Sequence, residues 1–88
     1  MNLVHKLKLF ERQIIYLRWA GDEGYGRLNY VGSDFVEFET LDVETMEFTE
    51  KVLLNSQLIL EVVVQSSDIS RVIAEYSSNL PSPTFDVN

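Results

Sequence analysis

Cysteine is absent from the 88 residues, which excludes disulfides, thiolate zinc sites and cysteine nucleophiles. The lone histidine, His5, cannot form a histidine-cluster metal site, and without a cysteine it would need carboxylates converging from elsewhere to hold a transition metal. Bases are scarce as well. Seven Lys and Arg stand against fourteen Asp and Glu, a net charge of −7, which argues against a general nucleic-acid binder or a protein that adheres to anionic membranes. Long apolar runs are missing. Leu58-Ile59-Leu60 and Val62-Val63-Val64 are split by Glu61 and far too short to cross a bilayer, and the first ten residues lack the continuous apolar stretch of a signal peptide. The default expectation is a cytoplasmic protein.

The 45% of hydrophobic residues suffices for one small core, so a single domain over residues 1–76 is expected, followed by a flexible tail over 77–88. Charge is unevenly spread. Residues 1–20 carry Lys6, Lys8, Arg12 and Arg18 against Glu11, whereas residues 21–50 carry nine acids against Arg27. A solvated sheet face accounts for this most simply; head-to-tail contacts or a basic partner is the alternative.

Leu3, Val4, Leu7 and Phe10 recur at helical spacing behind Asn2, a good N-cap, which predicts a short helix over about 2–11. From Gln13 the period changes to two, and Ile15, Leu17 and Trp19 alternate with Ile14, Tyr16 and Arg18 in a first strand. Gly21-Asp22-Glu23-Gly24 reads as a turn, residues 25–31 as a second strand, Gly32-Ser33-Asp34 as a tight turn and residues 35–41 as a third strand. In that strand Val36, Phe38 and Thr40 share one face, and Glu37 and Glu39 the other. Residues 42–57 are ambiguous: alternation through Glu50 favours an extended hairpin or insertion, while Lys51–Leu54 also suits a short helix. A strand over residues 57–65 and a last short strand over Ile69–Tyr76 complete the reading. Pro81 and Pro83 keep the tail out of any sheet interior. The predicted fold class is mostly β: a short N-terminal helix followed by a five-stranded, strongly bent small barrel of the SH3-like type.

Gly26-Arg27-Leu28-Asn29-Tyr30-Val31-Gly32-Ser33-Asp34-Phe35 resembles the first motif of the Sm-like (LSm) family, in which Gly-x-Leu on the second strand precedes a polar turn. Val62-Val63-Val64-Gln65-Ser66-Ser67-Asp68-Ile69-Ser70-Arg71-Val72-Ile73 is similar to its second motif, and the leading helix agrees with both. The resemblance covers roughly residues 3–76. It implies a barrel that pairs exposed fourth and fifth strands with neighbouring copies to build a ring. Leu58, Leu60, Val62, Val64, Val72 and Ile73 would then form the strand edges of the oligomer.

The family's RNA-gripping residues do not carry over. Gly32-Ser33-Asp34 is shorter than the family's first contact turn, and Gln65-Ser66 stands where Arg-Gly belongs. Ser33, Asp34, Gln65 and Asp68 remain candidate contacts to RNA or a partner, although Asp68 repels phosphate as readily as it accepts a hydrogen bond from a base. Lys6 and Lys8 could gather into a basic ring on the helix face after assembly. The preferred expectation is a non-catalytic, self-associating interaction or scaffold domain with a protein partner; the alternative is an RNA-binding ring that uses its N-terminal helix face.

Other signatures are weak. Gly21-x-x-Gly24-x-Gly26 opens no helix and so lacks a phosphate-binding dipole. Glu37 and Glu39, about 7 Å apart along a strand face, could in principle serve a hard cation or acid–base chemistry. No nucleophile or histidine accompanies them, so neither a catalytic residue nor a metal or cofactor is expected. Tyr16, Trp19, Tyr25, Tyr30, Phe35 and Phe38 could stack bases, but they adjoin acids rather than bases, which favours packing.

Overall fold

A computed structural model describes residues 3–78. The elements run α1 (Leu3–Lys8), β1 (Ile14–Trp19), β2 (Asp22–Val31), β3 (Phe35–Asp42), β4 (Glu47–Asn55), a 3-10 turn (Ser56–Leu58), β5 (Ile59–Val63) and α2 (Ser67–Ser78). The five strands form one antiparallel sheet in the order β4-β3-β2-β1-β5.

That order puts β4 and β5 at opposite edges, yet only Ser56–Leu58 separates them in sequence. Four strand spacings of a flat sheet would hold the edges about 19 Å apart. A single 3-10 turn advances only about 6 Å. The sheet must therefore curl. Register shifts at Arg18/Trp19, Leu28/Tyr30 and Thr40/Leu41 supply local bends, because a bulged strand twists and turns more sharply than a regular one. β4 and β5 do not pair with each other, and each keeps one unpaired edge.

Alternation sorts the strands' side chains onto two faces. Ile15, Leu17, Trp19, Leu28, Val31, Val36, Phe38, Leu54 and Ile59, from all five strands, join Leu7 of α1 in one buried core. Trp19 meets Phe38 edge-on at 5.7 Å between ring centroids. Gly26 lies on the middle strand of the sheet for a steric reason. A Cβ there would collide with the Glu39 carbonyl oxygen and stand 2.6 Å from Phe38 Cζ. Without it, β3 and the fully buried Phe38 ring close tightly onto β2.

The other face is covered at one end by α2. Val72 is buried with Leu41 and Met46, and Ile14, Tyr25, Phe48 and Tyr76 pack around them. This overturns the expected strand over Ile69–Tyr76. Ile69, Val72, Ile73 and Tyr76 stand at helical spacing, and the Ser66 hydroxyl caps the helix by accepting from the Ile69 N–H at 3.1 Å. Ser77 and Ser78, assigned by sequence to the tail, end the same helix; residues 79–88, with Phe85, lie outside the described residues.

Smaller corrections follow the same physics. α1 stops at Lys8 rather than near residue 11, since the chain turns through Arg12 in the left-handed region (φ 74°). β2 starts at Asp22, because Gly21 at φ 101° reverses the chain in fewer residues than expected. The ambiguous stretch is the hairpin alternative: Asp42 Oδ1 accepts from the Glu44 N–H, Met46 takes the left-handed conformation, and β4 then pairs along β3. Of the strand expected over 57–65, Gln57 and Leu58 belong instead to the 3-10 turn, and β5 runs Ile59–Val63.

Gly26 provides a test of the close approach. Gly26→Ala should cost about 1–3 kcal/mol of stability in urea denaturation. Gly24→Ala, where the added carbon meets nothing within 4 Å, should change it by less than about 0.5 kcal/mol. Equal effects from the two changes would refute the steric account.

Candidate functional site

The uncovered part of the outer face holds a polar hollow of about 530 Å³, lined by Arg12, Arg27, Asn29, Tyr30, Glu37, Glu39 and Lys51. Its floor follows from strand register. Arg27 pairs with Glu39 across β2–β3, and Glu39 pairs with Lys51 across β3–β4, so three charged residues form a row on one face. Asn29, two residues on from Arg27, shares that face by alternation, and the register shift between Leu28 and Tyr30 keeps Tyr30 there too while Val31 returns to the core.

Asn29 holds the floor together. Its amide nitrogen donates to Glu37 Oε2 and to Glu39 Oε1, both at 3.1 Å, and its oxygen accepts from Arg27 Nε at 3.2 Å. Arg27 also lies 3.6 Å from Glu39 Oε1, with its guanidinium carbon 4.4 Å from the centre of the Phe48 ring. Two like-charged carboxylates are thus kept on one face by an amide that donates to both and a cation fixed on three sides. Arg12 and Lys51 also line the hollow. Among the described residues, neither side chain has a hydrogen bond or an ion pair.

Glu37 and Glu39 were legible as neighbours on one strand face. Asn29, Arg12 and Lys51 were not legible as site residues. Asn29 shares Arg27's face by simple alternation, but its link to Glu37 and Glu39 depends on the β2–β3 register, and Lys51 joins only through cross-strand register. Among the described residues there is no cluster of three or more His, Asp or Glu suited to a metal ion.

The candidates expected from sequence disperse. Lys8 Nζ donates to the Val31 carbonyl at 3.1 Å, lies 3.6 Å from Glu11 and sits 5.7 Å from the centre of the Tyr30 ring, so α1 is tied to the end of β2. Lys6 is exposed on α1. Ser33 and Asp34 occupy the exposed β2–β3 turn, where the Asp34 carbonyl accepts from the Ser56 N–H at 3.0 Å. Lys8 and that turn therefore share one end of β2. Gln65 is exposed between β5 and α2, and Asp68, in the first turn of α2, pairs with Arg71 at 3.0 Å. Asp68 also lines a second hollow with Tyr16, Tyr25, Val63 and Ser66.

The expected strand-edge residues divide. Leu60 lies on β5 and is 59% exposed, and Leu58 ends the 3-10 turn at 47%. Val62 and Val64 pack against the core. Val72 and Ile73 are no strand edge at all: both belong to α2, Val72 buried beneath it and Ile73 exposed on it. Leu53 of β4, 67% exposed, was missed because its strand was unassigned. No described helix is long and apolar enough to cross a membrane.

The Tyr16 hydroxyl is pushed above its ordinary value of 10.0, by desolvation first and then by a hydrogen bond to Glu23 and the charges of Glu23 and Glu61, with Arg18 opposing. The unfolded chain then loses this proton more readily than the folded one. Stability from this group is full below pH 10.0 and is lost as pH rises through the folded value. Tyr16→Phe should accordingly flatten the alkaline limb of a stability-versus-pH curve and leave neutral pH nearly unchanged; an unaltered limb would refute the shift.

Asn29→Asp places a third carboxylate between Glu37 and Glu39. It should cost about 1–3 kcal/mol in chemical denaturation. The loss should shrink in about 1 M NaCl, where screening acts over about 3 Å. A loss insensitive to salt would mean that Asn29 acts through shape rather than charge. Comparison with protein-family models, curated proteins and solved structures finds no match to this chain.

Proposed function

We propose that the chain is a divergent Sm-like domain, a small barrel without catalytic function that associates with further copies of itself and serves as a scaffold for a protein partner. The observation that carries this reading is the pairing of strand order with connectivity. β4 and β5 are the two free edges, and the turn at Ser56–Leu58 brings them round toward each other. A sheet curled this far and not self-paired offers one edge of each kind, and β4 of one copy can continue into β5 of the next. Repetition of such a head-to-tail contact closes into a ring when the rotation allows.

Exposed apolar side chains lie where that contact would form. Leu53 stands on β4, and Leu58 and Leu60 lie at the start of β5. Bare edge strands with apolar side chains are an aggregation hazard unless a partner covers them. The leading helix and Gly26 in the second strand agree with the family pattern, whereas α2 replaces the strand that the second motif was expected to supply. RNA binding through the helix face is the weaker reading, since Lys8 is committed to Val31 and Glu11 and the chain is strongly acidic.

Light scattering after size-exclusion chromatography, with ultraviolet absorbance to detect nucleic acid, tests this directly. The expected particle is a closed assembly of roughly five to seven chains free of nucleic acid. Leu53→Glu and Leu60→Glu should each convert it to folded monomer, because each removes an apolar contact and adds a negative charge to edges that already expose Glu47, Glu50 and Glu61. A monomeric parent chain would sink the ring. An assembly that retains RNA through purification would replace the scaffold reading with the RNA-binding one.

A further inference from the structure

Three of the seven bases, Arg12, Arg27 and Lys51, surround the hollow on the outer face of β2, β3 and β4. Among the other four, Lys8, Arg18 and Arg71 are each paired with an acid. The hollow's two carboxylates leave it one positive charge in excess, in a chain whose net charge is −7. Those carboxylates are already held: Glu37 uses Oε2, and Glu39 uses Oε1, to accept from Asn29. Arg27 is held by Asn29, Glu39 and Phe48. Among the described residues, Arg12 and Lys51 are the two cations of the hollow whose side chains have no hydrogen bond or ion pair.

The charge balance selects the ligand. An excess of one positive charge suits a ligand with a single carboxylate, whose neighbouring nitrogen can face Glu37 and Glu39 as an amide or an ammonium, whereas a phosphate dianion would meet Glu37 and Glu39 with a second negative charge. Each glutamate keeps a second oxygen able to accept a hydrogen bond, so a donor close to the anion would also be satisfied. The size, about 530 Å³, matches a small organic molecule rather than a bare ion. A third hollow of about 280 Å³ shares Arg12 and Arg27 with the polar one and adds the apolar groups of Ile14, Ile73 and Tyr76, beside Gln13 and Ser77.

We propose that these joined hollows bind an α-carboxylate with an adjacent nitrogen donor and an apolar side chain. This is the chemistry of a free apolar amino acid or of the C-terminal residue of a peptide. Arg12 and Lys51 take the carboxylate, Glu37 and Glu39 accept from the donor, and the side chain lies against Ile73 and Tyr76. The site is complete within one chain and does not depend on assembly.

Amide NMR of the full 15N-labelled chain, titrated at constant pH and ionic strength, tests it with three probes: L-leucine, N-acetyl-L-leucine and inorganic phosphate. Saturable shifts centred on Arg12, Asn29, Glu39 and Lys51 are expected with at least one leucine compound. Leucine alone would identify the free amino acid; N-acetyl-leucine, alone or equally, would identify a chain end. Lys51→Gln, and Arg12→Gln combined with it, should weaken binding about tenfold or more with the rest of the spectrum intact. The single variant keeps the test open if the turn at Arg12 does not tolerate Gln. Absence of saturable shifts, tighter binding of phosphate than of both leucine compounds, or undiminished affinity in the variants would overturn the proposal.

Discussion

The three residues between β4 and β5 constrain everything else in this structure. They connect the two ends of the strand order, so the sheet between them has to curl until its edges approach. Curling places the residues of five strands around one center and allows a chain this short to bury ten side chains in a single core. It also shapes the middle strands. β2 sits at the center of the order and can accept β3 at close range only because Gly26 carries no side chain. The bulge at Leu28/Tyr30, which helps β2 to bend, also leaves Tyr30 on the outer face beside Asn29 before Val31 returns to the core, and so adds Tyr30 to the lining of the polar hollow.

Curling also leaves the sheet an outer face turned away from that core. Two different arrangements meet there. At one end α2 lays Val72 and Tyr76 over Ile14, Tyr25 and Phe48. At the other end no helix follows, and the face stays polar through Arg27, Asn29, Glu37 and Glu39. Phe48 lies at the join, with Tyr76 at 5.4 Å on one side and the Arg27 guanidinium on the other. Docking of the helix and ordering of the polar cluster are therefore coupled through one aromatic ring.

Period-two alternation made β1 and β3 legible, with β2 displaced only by its early start, because a half-buried strand writes its two faces directly into sequence. The leading helix was legible for the equivalent reason. α2 was readable in principle: Ile69, Val72, Ile73 and Tyr76 have helical spacing, and Ser66 is a good cap. Its proximity to Val62-Val63-Val64 and the likeness to a two-strand motif pulled the expectation toward a strand. β4 was obscured by its mostly exposed residues, since an edge strand has little core to imprint a pattern. The hollow was the least legible feature. Its members come from the turn at Arg12, from β2, β3 and β4, and register alone brings Lys51 beside Glu39.

Charge sets the terms on which the free edges can be covered. β4 exposes Glu47 and Glu50, and β5 exposes Glu61. Lys51 of β4 is the one base on either edge strand, and it faces the hollow. Two edges carrying the same sign of charge do not attract each other through their side chains, so contact between copies has to come from ladder hydrogen bonds and from Leu53, Leu58 and Leu60. Salt then acts in the direction opposite to that of an electrostatically driven complex: screening removes repulsion between acidic edges while apolar burial persists. A basic partner would bind under the reverse rule, strengthened at low ionic strength by the acids of residues 21–50. Self-association and capture of a basic partner are thereby separated by the sign of their salt dependence, a consequence of where this chain places its few bases and its many acids.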